Sequence, residues 1–160
     1  MKSKIIFEPF GATDIPAIMA IEQQVYPNPW SEKIMHDCLK AGYQCLKGHL
    51  EQQPDQLACY AVMMFGFEEA NLLNISVNPQ VQRQSVGSQL LHRLLLICRI
   101  NQAKTMWLEV RESNQAAIRL YQSHQFDTIG RRKHYYTYRD DRGALIKEDA
   151  ILMSRKVVMA

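Results

Sequence analysis

The sequence predicts an α/β fold: a central mixed β-sheet with helices on both faces, built by one domain over residues 1–160. Segments with strand periodicity alternate with segments of helical periodicity along the chain. Short turns in the middle of the sequence indicate antiparallel hairpins, and helices between later strands indicate crossovers and a parallel segment. The 160 residues are 47% hydrophobic and 22% charged, which is ordinary for a globular protein with one sizeable core.

The first half of the chain predicts two helices among several strands. The expected strands are residues 5–10, 44–50, 57–67 and 71–77, and the expected helices are 15–25 and 32–39. Thr13-Asp14 is the expected cap of the first helix, in whose first turn Pro16 is tolerated. Ser31 is the expected N-cap of the second helix, and Gly42 its end. The segment 26–30 separates these helices, and turns are expected at 52–55 and 67–70.

The second half predicts one long helix and one short helix between strands. A helix begins near Gly87, a strand follows at 104–110, Ser113-Asn114 caps another helix, and strands at 126–138 and 150–157 complete the chain. The long helix has an apolar stripe at helical spacing, formed by Leu90, Leu91, Leu94, Leu95 and Cys98. This stripe is expected to face the core.

The segment 74–88 predicts a strand, a polar loop and the start of a helix. Free N–H groups at a helix N-terminus, together with the helix dipole, favour a bound anion. Arg83 adds a positive charge to the loop. This order indicates a phosphate-bearing cofactor laid against Val77 and the helix start, although many strand–loop–helix units carry no ligand.

Glu109 lies inside an apolar strand segment, on the same face as Trp107 and Arg111. A carboxylate held near Trp107 would be partly desolvated, which suits a general base. The alternative is a glutamate paired with Arg111 on a solvated face. Asn114 and Tyr121 are expected on one face of the following helix, where the Tyr121 phenol is either an acid or a core side chain with a satisfied hydroxyl.

Several functional classes lack support. The four cysteines form no Cys-x-x-Cys pair and the five histidines have no ligand spacing, so no metal is expected and the thiols are expected to be reduced and packed. The net charge of +3 is too small to indicate nucleic acid, and no apolar run approaches the roughly 18 residues of a membrane span. No signal peptide is expected, so a cytoplasmic location is predicted. The basic cluster 131–134 is either a solvated strand edge or a polyanion contact.

These segments together resemble the GNAT superfamily of acetyl-coenzyme A-dependent N-acetyltransferases over nearly the whole chain. The resemblance rests on Ile75-Ser76-Val77, the loop Gln82-Arg83-Gln84-Ser85-Val86-Gly87, the segment 108–114, Ala116-Ala117-Ile118 and Leu120-Tyr121. Two glycines of the family pattern are replaced. Ser85 stands at the first glycine of the pyrophosphate loop, and Gln125 stands before Phe126, where it would take a left-handed conformation at a cost of roughly 1 kcal/mol.

The resemblance implies acetyl-coenzyme A as cosubstrate and no metal. Glu109 would be the general base and Tyr121 the acid that protonates the leaving thiolate. The implied cofactor-binding residues are Ile75, Ser76, Val77, Arg83, Gln84, Ser85, Val86, Gly87, Ser88 and Asn114.

Further segments at 28–33, 107–111, 131–136 and 148–153 resemble the members of this family that acetylate the N-terminal alanine of a small-subunit ribosomal protein. The implied partner is a protein N-terminus, with no nucleic acid and no membrane. Pro29-Trp30-Ser31 and Tyr135-Tyr136 would flank the acceptor, and candidate steering charges, each otherwise a solvated surface residue, are Glu22, Glu32, Glu68 and Glu69. Two alternatives stay open: a GNAT enzyme that acts on another amine, and a coenzyme A-binding partner without turnover.

Overall fold

The computed structural model describes residues 3–81 and 85–157, and the predicted site residues Arg83 and Gln84 lie outside these ranges. The strands are β1 Ile5–Pro9, β2 Gln44–Leu50, β3 Cys59–Gly66, β4 Glu69–Val77, β5 Thr105–Arg111, β6 Asp127–Arg139 and β7 Leu145–Lys156. The helices are α1 Ile15–Val25, α2 Glu32–Lys40, α3 Val86–Ile100 and α4 Gln115–Ser123. The predicted α/β class is confirmed.

The strands form one mixed sheet in the order β1-β2-β3-β4-β5-β7-β6. Strand β4 pairs with β5 in parallel across the α3 crossover, and the other neighbouring pairs are antiparallel. The second crossover, through α4, leads to β6 at the sheet edge because β7 inserts between β5 and β6. The expected parallel segment is therefore a single pair of strands.

Helices cover both faces of the sheet, as predicted. On one face, α1 and α2 bury a cluster that includes Ile15, Ile18, Met35, Tyr60 and Val62. On the other face, α3 and α4 pack against the central strands, and the predicted leucine stripe is part of this larger core. Within the stripe Leu90, Leu91, Leu94 and Cys98 are wholly buried, while Leu95 packs at the margin.

Several boundaries differ from the predictions. The predicted turn at 67–70 is wrong in its second half, because Glu69 and Ala70 already pair with Gly66 and Phe65. Strand β7 begins at Leu145, ahead of the predicted residue 150, because pairing with β6 extends the strand over a segment that has no apolar alternation in the sequence. The predicted cap Asp14 does occupy the N-cap of α1, but its carboxylate accepts a hydrogen bond from the Gly11 N–H (2.9 Å) and caps no helical amide.

Strand β4 changes direction at Leu73, and this bend creates the opening in the sheet. Val62 pairs with Asn74 and Met63 with Leu72, so Leu73 is an extra residue in β4. Such a bulge bends its strand. The pairing between β4 and β5 ends at Leu72 and Leu108, and the two strands diverge beyond that point. The second half of β4 consequently has a free edge in the middle of the sheet.

Candidate active site

Three adjoining cavities follow the opening between β4 and β5. The loop cavity, of about 440 Å³, lies between the second half of β4 and the first turns of α3 and α4. The central cavity, of about 130 Å³, lies between β4 and β5 and shares Tyr26, Ile75, Asn114 and Tyr121 with the loop cavity. The groove, of about 600 Å³, continues over the sheet face and shares Trp30, Leu73, Glu109 and Tyr136 with the central cavity.

The loop cavity brings together all of the predicted cofactor-binding residues that the structure describes. They are Ile75, Ser76, Val77, Ser85, Val86, Gly87, Ser88 and Asn114. These residues come from three separate parts of the sequence, 75–77, 85–88 and 114. The fold brings them together because α3 and α4 both begin beside the free edge of β4. Their convergence agrees with the predicted site, while the roles of the individual residues stay predictions.

The backbone of β4 presents polar groups to the opening. Asn78 N–H donates to the Ala58 carbonyl (2.8 Å), which fixes the hydrogen-bonding phase of the β3–β4 ladder. In that phase the N–H and C=O groups of Ser76 point to β3, and those of Ile75 and Val77 point away from it. Among the described residues, Ile75 and Val77 have no pairing partner in β5, because the β4–β5 ladder stops at Leu72. Ile75 and Val77 can therefore offer backbone groups to a ligand. The backbone groups of Ser76 point to β3, so Ser76 can offer only its side-chain hydroxyl.

The start of α3 fits an anion. The N–H groups of its first turn have no partner within the helix, and Ser85 to Ser88 line the loop cavity. Ser85 is the N-cap and has φ 61°, a left-handed conformation that glycine adopts without strain. Gly87 packs closely, because a Cβ there would lie 3.2 Å from Leu120 Cδ2. A phosphate-bearing ligand is thus compatible with the residues present, and Ser85 occupies a position that favours glycine.

Glu109 lines both the central cavity and the groove. Its Oε1 lies 3.1 Å from Arg132 Nε, and its side chain is 30% exposed. The expected alternative partner Arg111 is instead 3.5 Å from Glu148 and lies over the Tyr136 ring. The alternative in which Glu109 pairs with Arg111 is therefore wrong, because β6 places Arg132 beside the carboxylate instead.

Tyr121 is buried at the boundary between the central and loop cavities, as the acid of the predicted site would be. Burial, followed by the proximity of Tyr26 and Tyr136, raises the pKa of the Tyr121 phenol, so it stays protonated at neutral pH. Within residues 3–81 and 85–157 no group hydrogen-bonds this hydroxyl, and the Tyr121 ring packs edge-on against Phe126 (5.9 Å between centroids).

Asn114 also lies at the boundary between the central and loop cavities. Its Oδ1 caps α4 by accepting a hydrogen bond from Ala117 N–H.

Glu22 was predicted to be a steering charge or a solvated surface residue, and this is wrong. Its side chain is 1% exposed. It accepts hydrogen bonds from the Tyr60 hydroxyl (2.6 Å), Asn74 Nδ2 (2.9 Å) and Trp30 N–H (2.9 Å). A signal existed in the sequence, because Glu22 falls at helical spacing with Ile15 and Ile18 on the buried face of α1.

The polar network continues from Glu22 along β4 to the segment after α1. Ser76 Oγ is within hydrogen-bond distance of Asn74 Oδ1 and of the Tyr26 hydroxyl, 3.2 Å in each case. The Tyr26 hydroxyl donates to the Ile75 carbonyl. The sequence indicates Tyr26 only as part of the break between the first two helices. The network connects the wall of the central cavity to the free edge of β4.

The groove has aromatic walls at the two predicted segments. Trp30 comes from the α1–α2 connection, which Asn28 ties to β6 by donating to the Thr137 carbonyl (2.9 Å). Tyr135 and Tyr136 come from β6 and pack edge to face at 5.2 Å. On the floor, Trp107 Nε1 is buried without a hydrogen-bond partner among the described residues.

A bulge in β6 lies next to the groove and includes Tyr135. Arg132 pairs with Ala150 and Tyr136 with Glu148, so residues 133–135 stand opposite Asp149 alone. Asp149 accepts from His134 N–H and from Arg131, each at 2.8 Å. The hydrogen bond from His134 and then that from Arg131 lower the pKa of the Asp149 carboxyl. The exposed basic cluster thus carries ion pairs, in agreement with its interpretation as a solvated strand edge.

The remaining steering candidates differ in position. Glu69 lines the groove. Glu68 pairs with Lys104 (3.0 Å) and Glu32 lies near His36 (3.6 Å). In the described ranges there is no group of three or more His, Cys, Asp or Glu residues that could hold a metal ion. No described helix is long and apolar enough to cross a membrane.

Known proteins resemble this chain over nearly its full length. Residues 15–126 match the model of the acetyltransferase (GNAT) family. The ribosomal protein bS18-alanine N-acetyltransferase of Escherichia coli strain K12 is 40% identical over 147 residues, which cover 92% of this chain and 94% of the relative. A crystal structure of the ribosomal-protein-S18-alanine N-acetyltransferase from Escherichia coli aligns with a TM-score of 0.85 at 35% identity, over 98% of this chain and 96% of that chain. Arabidopsis thaliana NAA60 in complex with acetyl-CoA has the same fold, with a TM-score of 0.80 at 14% identity over 96% and 99% of the two chains.

Proposed function

The chain belongs to the acetyltransferase (GNAT) family, and we propose that it transfers an acetyl group from acetyl-coenzyme A to the N-terminal α-amino group of a protein. The preferred acceptor is the N-terminal alanine of a small-subunit ribosomal protein, and the reaction takes place in the cytoplasm. The observation that carries the proposal is the central cavity. Glu109 and Tyr121 both line it, and it lies between the loop cavity and the groove.

The loop cavity is the proposed site for acetyl-coenzyme A, which supplies the activated thioester. The first-turn amides of α3, from Val86 to Ser88, would hold the pyrophosphate. The N–H groups of Ile75 and Val77 point to the β4–β5 opening and would bind the pantetheine and polarise the thioester carbonyl. Asn114 would contact the cofactor arm, because it lines both the loop and the central cavity.

Glu109 and Tyr121 are the proposed proton-transfer residues. Glu109 would take a proton from the acceptor ammonium, directly or through a water, so that the free amine attacks the thioester carbonyl carbon. The α-amino group has a pKa of about 7.7–8.0, so little help from a base is needed. As the bond from carbon to sulfur breaks, Tyr121 would give its phenolic proton to the thiolate. Its raised pKa keeps that proton available at neutral pH.

The groove is the proposed path of the acceptor peptide. Trp30 and the tyrosine pair would pack against an extended backbone, and the central cavity of about 130 Å³ leaves room for a small first residue. Glu69, at the groove, is the steering candidate that the geometry favours. If it steers a basic acceptor, apparent acceptor affinity should weaken as salt concentration rises.

Thiol release from acetyl-coenzyme A separates this proposal from its rivals. The acceptors are an alanine-starting peptide, a blocked peptide of equal charge that contains lysine, and a panel of small amines. We expect turnover with the first peptide only. Turnover confined to small amines would favour a GNAT enzyme of metabolites, and coenzyme A binding without turnover on any acceptor would favour a non-catalytic partner.

A further inference from the structure

Tyr26 occupies the wall that the central and loop cavities share. It is the first residue after α1, and its hydroxyl donates to the Ile75 carbonyl. That carbonyl lies on the free edge of β4, beyond the last β4–β5 pair at Leu72. The tyrosine hydroxyl therefore replaces the hydrogen-bond donor that β5 would supply in a continuous ladder.

We propose that Tyr26 is a positioning residue for acetyl transfer, which holds the Ile75 segment so that the free edge of β4 faces the cofactor. This inference rests on the proposed function. The N–H and C=O of one strand residue point to the same side. Fixing the Ile75 carbonyl toward the opening therefore also directs the Ile75 N–H toward it.

Both neighbours of Ile75 are held by the same network. Asn74 donates to the buried Glu22 carboxylate (2.9 Å), and the Ser76 hydroxyl lies 3.2 Å from the Tyr26 hydroxyl. Glu22 is anchored in turn by Tyr60 of β3 and by the backbone of Trp30. Three successive residues of β4 are thus contacted by side chains from α1 and from the segment that follows it, at the point where β3 still pairs with β4 but β5 no longer does.

The protonation state of Tyr26 suits this role. Burial, opposed in part by the hydrogen bond with Ser76, raises the pKa of Tyr26 to about 12. The phenol is consequently protonated throughout the neutral range and donates its hydrogen bond to Ile75 at every pH where the enzyme would work. A change of pH between 6 and 9 should not imitate the loss of this group.

The test compares Tyr26→Phe with Tyr43→Phe. Phenylalanine at position 26 keeps the ring and removes only the donor. Tyr43 packs at the margin of the same α1–α2 cluster, lines none of the three cavities, and provides a matched loss of one phenol. Steady-state thiol release with an alanine-starting peptide gives kcat and the acceptor KM, calorimetry gives the affinity for coenzyme A, and all assays are run well below each variant's melting temperature.

We expect Tyr26→Phe to lower kcat about tenfold, to weaken coenzyme A binding about threefold, and to change the acceptor KM less than about twofold. Tyr43→Phe should match the wild type in all three. If the wild type is active and Tyr26→Phe changes neither kcat nor the affinity for coenzyme A, this inference is overturned and the proposed function is not. A wild type that binds coenzyme A without turnover would contradict the proposed function, and the binding comparison would still decide the role of Tyr26. A wild type that binds no coenzyme A would overturn both.

Discussion

Glu109 faces the central cavity with one oxygen near Arg132 and a side chain that is still partly open to solvent. Glu109→Gln keeps this shape and removes the base. At pH 7 we expect kcat/KM to fall by ~10²-fold or more, and the deficit should shrink above about pH 8, where the acceptor amine deprotonates unaided. The pH profile of thiol release checks this. Glu112→Gln, a nearby change outside the three cavities, should leave the profile unchanged.

Glu22 is a buried carboxylate whose donors are all fixed by the fold. In Glu22→Gln the new amide nitrogen would face at least one of the three groups that now donate to this side chain. We expect the free energy of unfolding to fall by about 2–4 kcal/mol, because a buried donor loses its acceptor. Urea denaturation measures this, with Glu51→Gln in an exposed turn as the control. Equal stability of the two variants would mean that the network contributes little.

Sequence reasoning at the residue scale identified groups with a chemical pattern and missed groups defined only by their neighbours. Glu109, Asn114 and Tyr121 stood out by type and spacing, and they do meet in one cavity. The side-chain partners of Glu22, Tyr60 and Asn74, and the partner of Glu109, Arg132, come from other elements more than 20 positions away, which no local pattern encodes. Tyr26 also escaped notice, because its role depends on a strand edge that exists only after β4 diverges from β5.

At the scale of single elements, the end of α4 carries a strained residue. Gln125 has φ 69°, which confirms the left-handed conformation expected at a position where the family has glycine. Gln125→Gly should raise the free energy of unfolding by about 0.5–1 kcal/mol. Gln122→Gly, inside α4, should lower it by about 1 kcal/mol. Denaturant titration of both variants checks the prediction, which fails if the two glycines have the same effect.

The β6 bulge depends on the carboxylate of Asp149. Its folded pKa is lowered, so its stabilising contribution is complete above the unfolded pKa of about 4 and is lost as the pH falls through the lower folded value. Asp149→Asn should therefore lower the melting temperature at pH 7, and its difference from the wild type should shrink toward pH 3. Thermal melts between these values provide the measurement. A difference that stays constant with pH would contradict the assigned role of the charge.

Prediction of elements succeeded where apolar periodicity or cap chemistry was strong. The Ser31 cap was confirmed by its hydrogen bond from Ile34 N–H, and β2 has the predicted bounds. The first half of β7 and the bulge in β6 were missed. Both mix charged residues with a few apolar or aromatic ones, depend on cross-strand pairing and on Asp149, and show no apolar alternation in the sequence.

At the scale of the whole molecule, one local irregularity organises the site. The extra residue Leu73 bends β4, the bend ends its ladder with β5, and the resulting opening joins the loop cavity to the groove. The sequence predicted the mixed sheet and its crossovers from element order. It did not predict the bulge, because a register shift depends on the pairing of two strands and not on either strand alone.

The central claim is that the reacting nitrogen is an α-amino group. One peptide with a free N-terminal alanine and an internal lysine places both amines in a single acceptor. After incubation with the protein and acetyl-coenzyme A, fragmentation in the mass spectrometer locates the added acetyl group. Acetylation of the alanine nitrogen, greatly reduced in Glu109→Gln, is the predicted result, and acetylation of the lysine side chain with a free alanine would contradict the account.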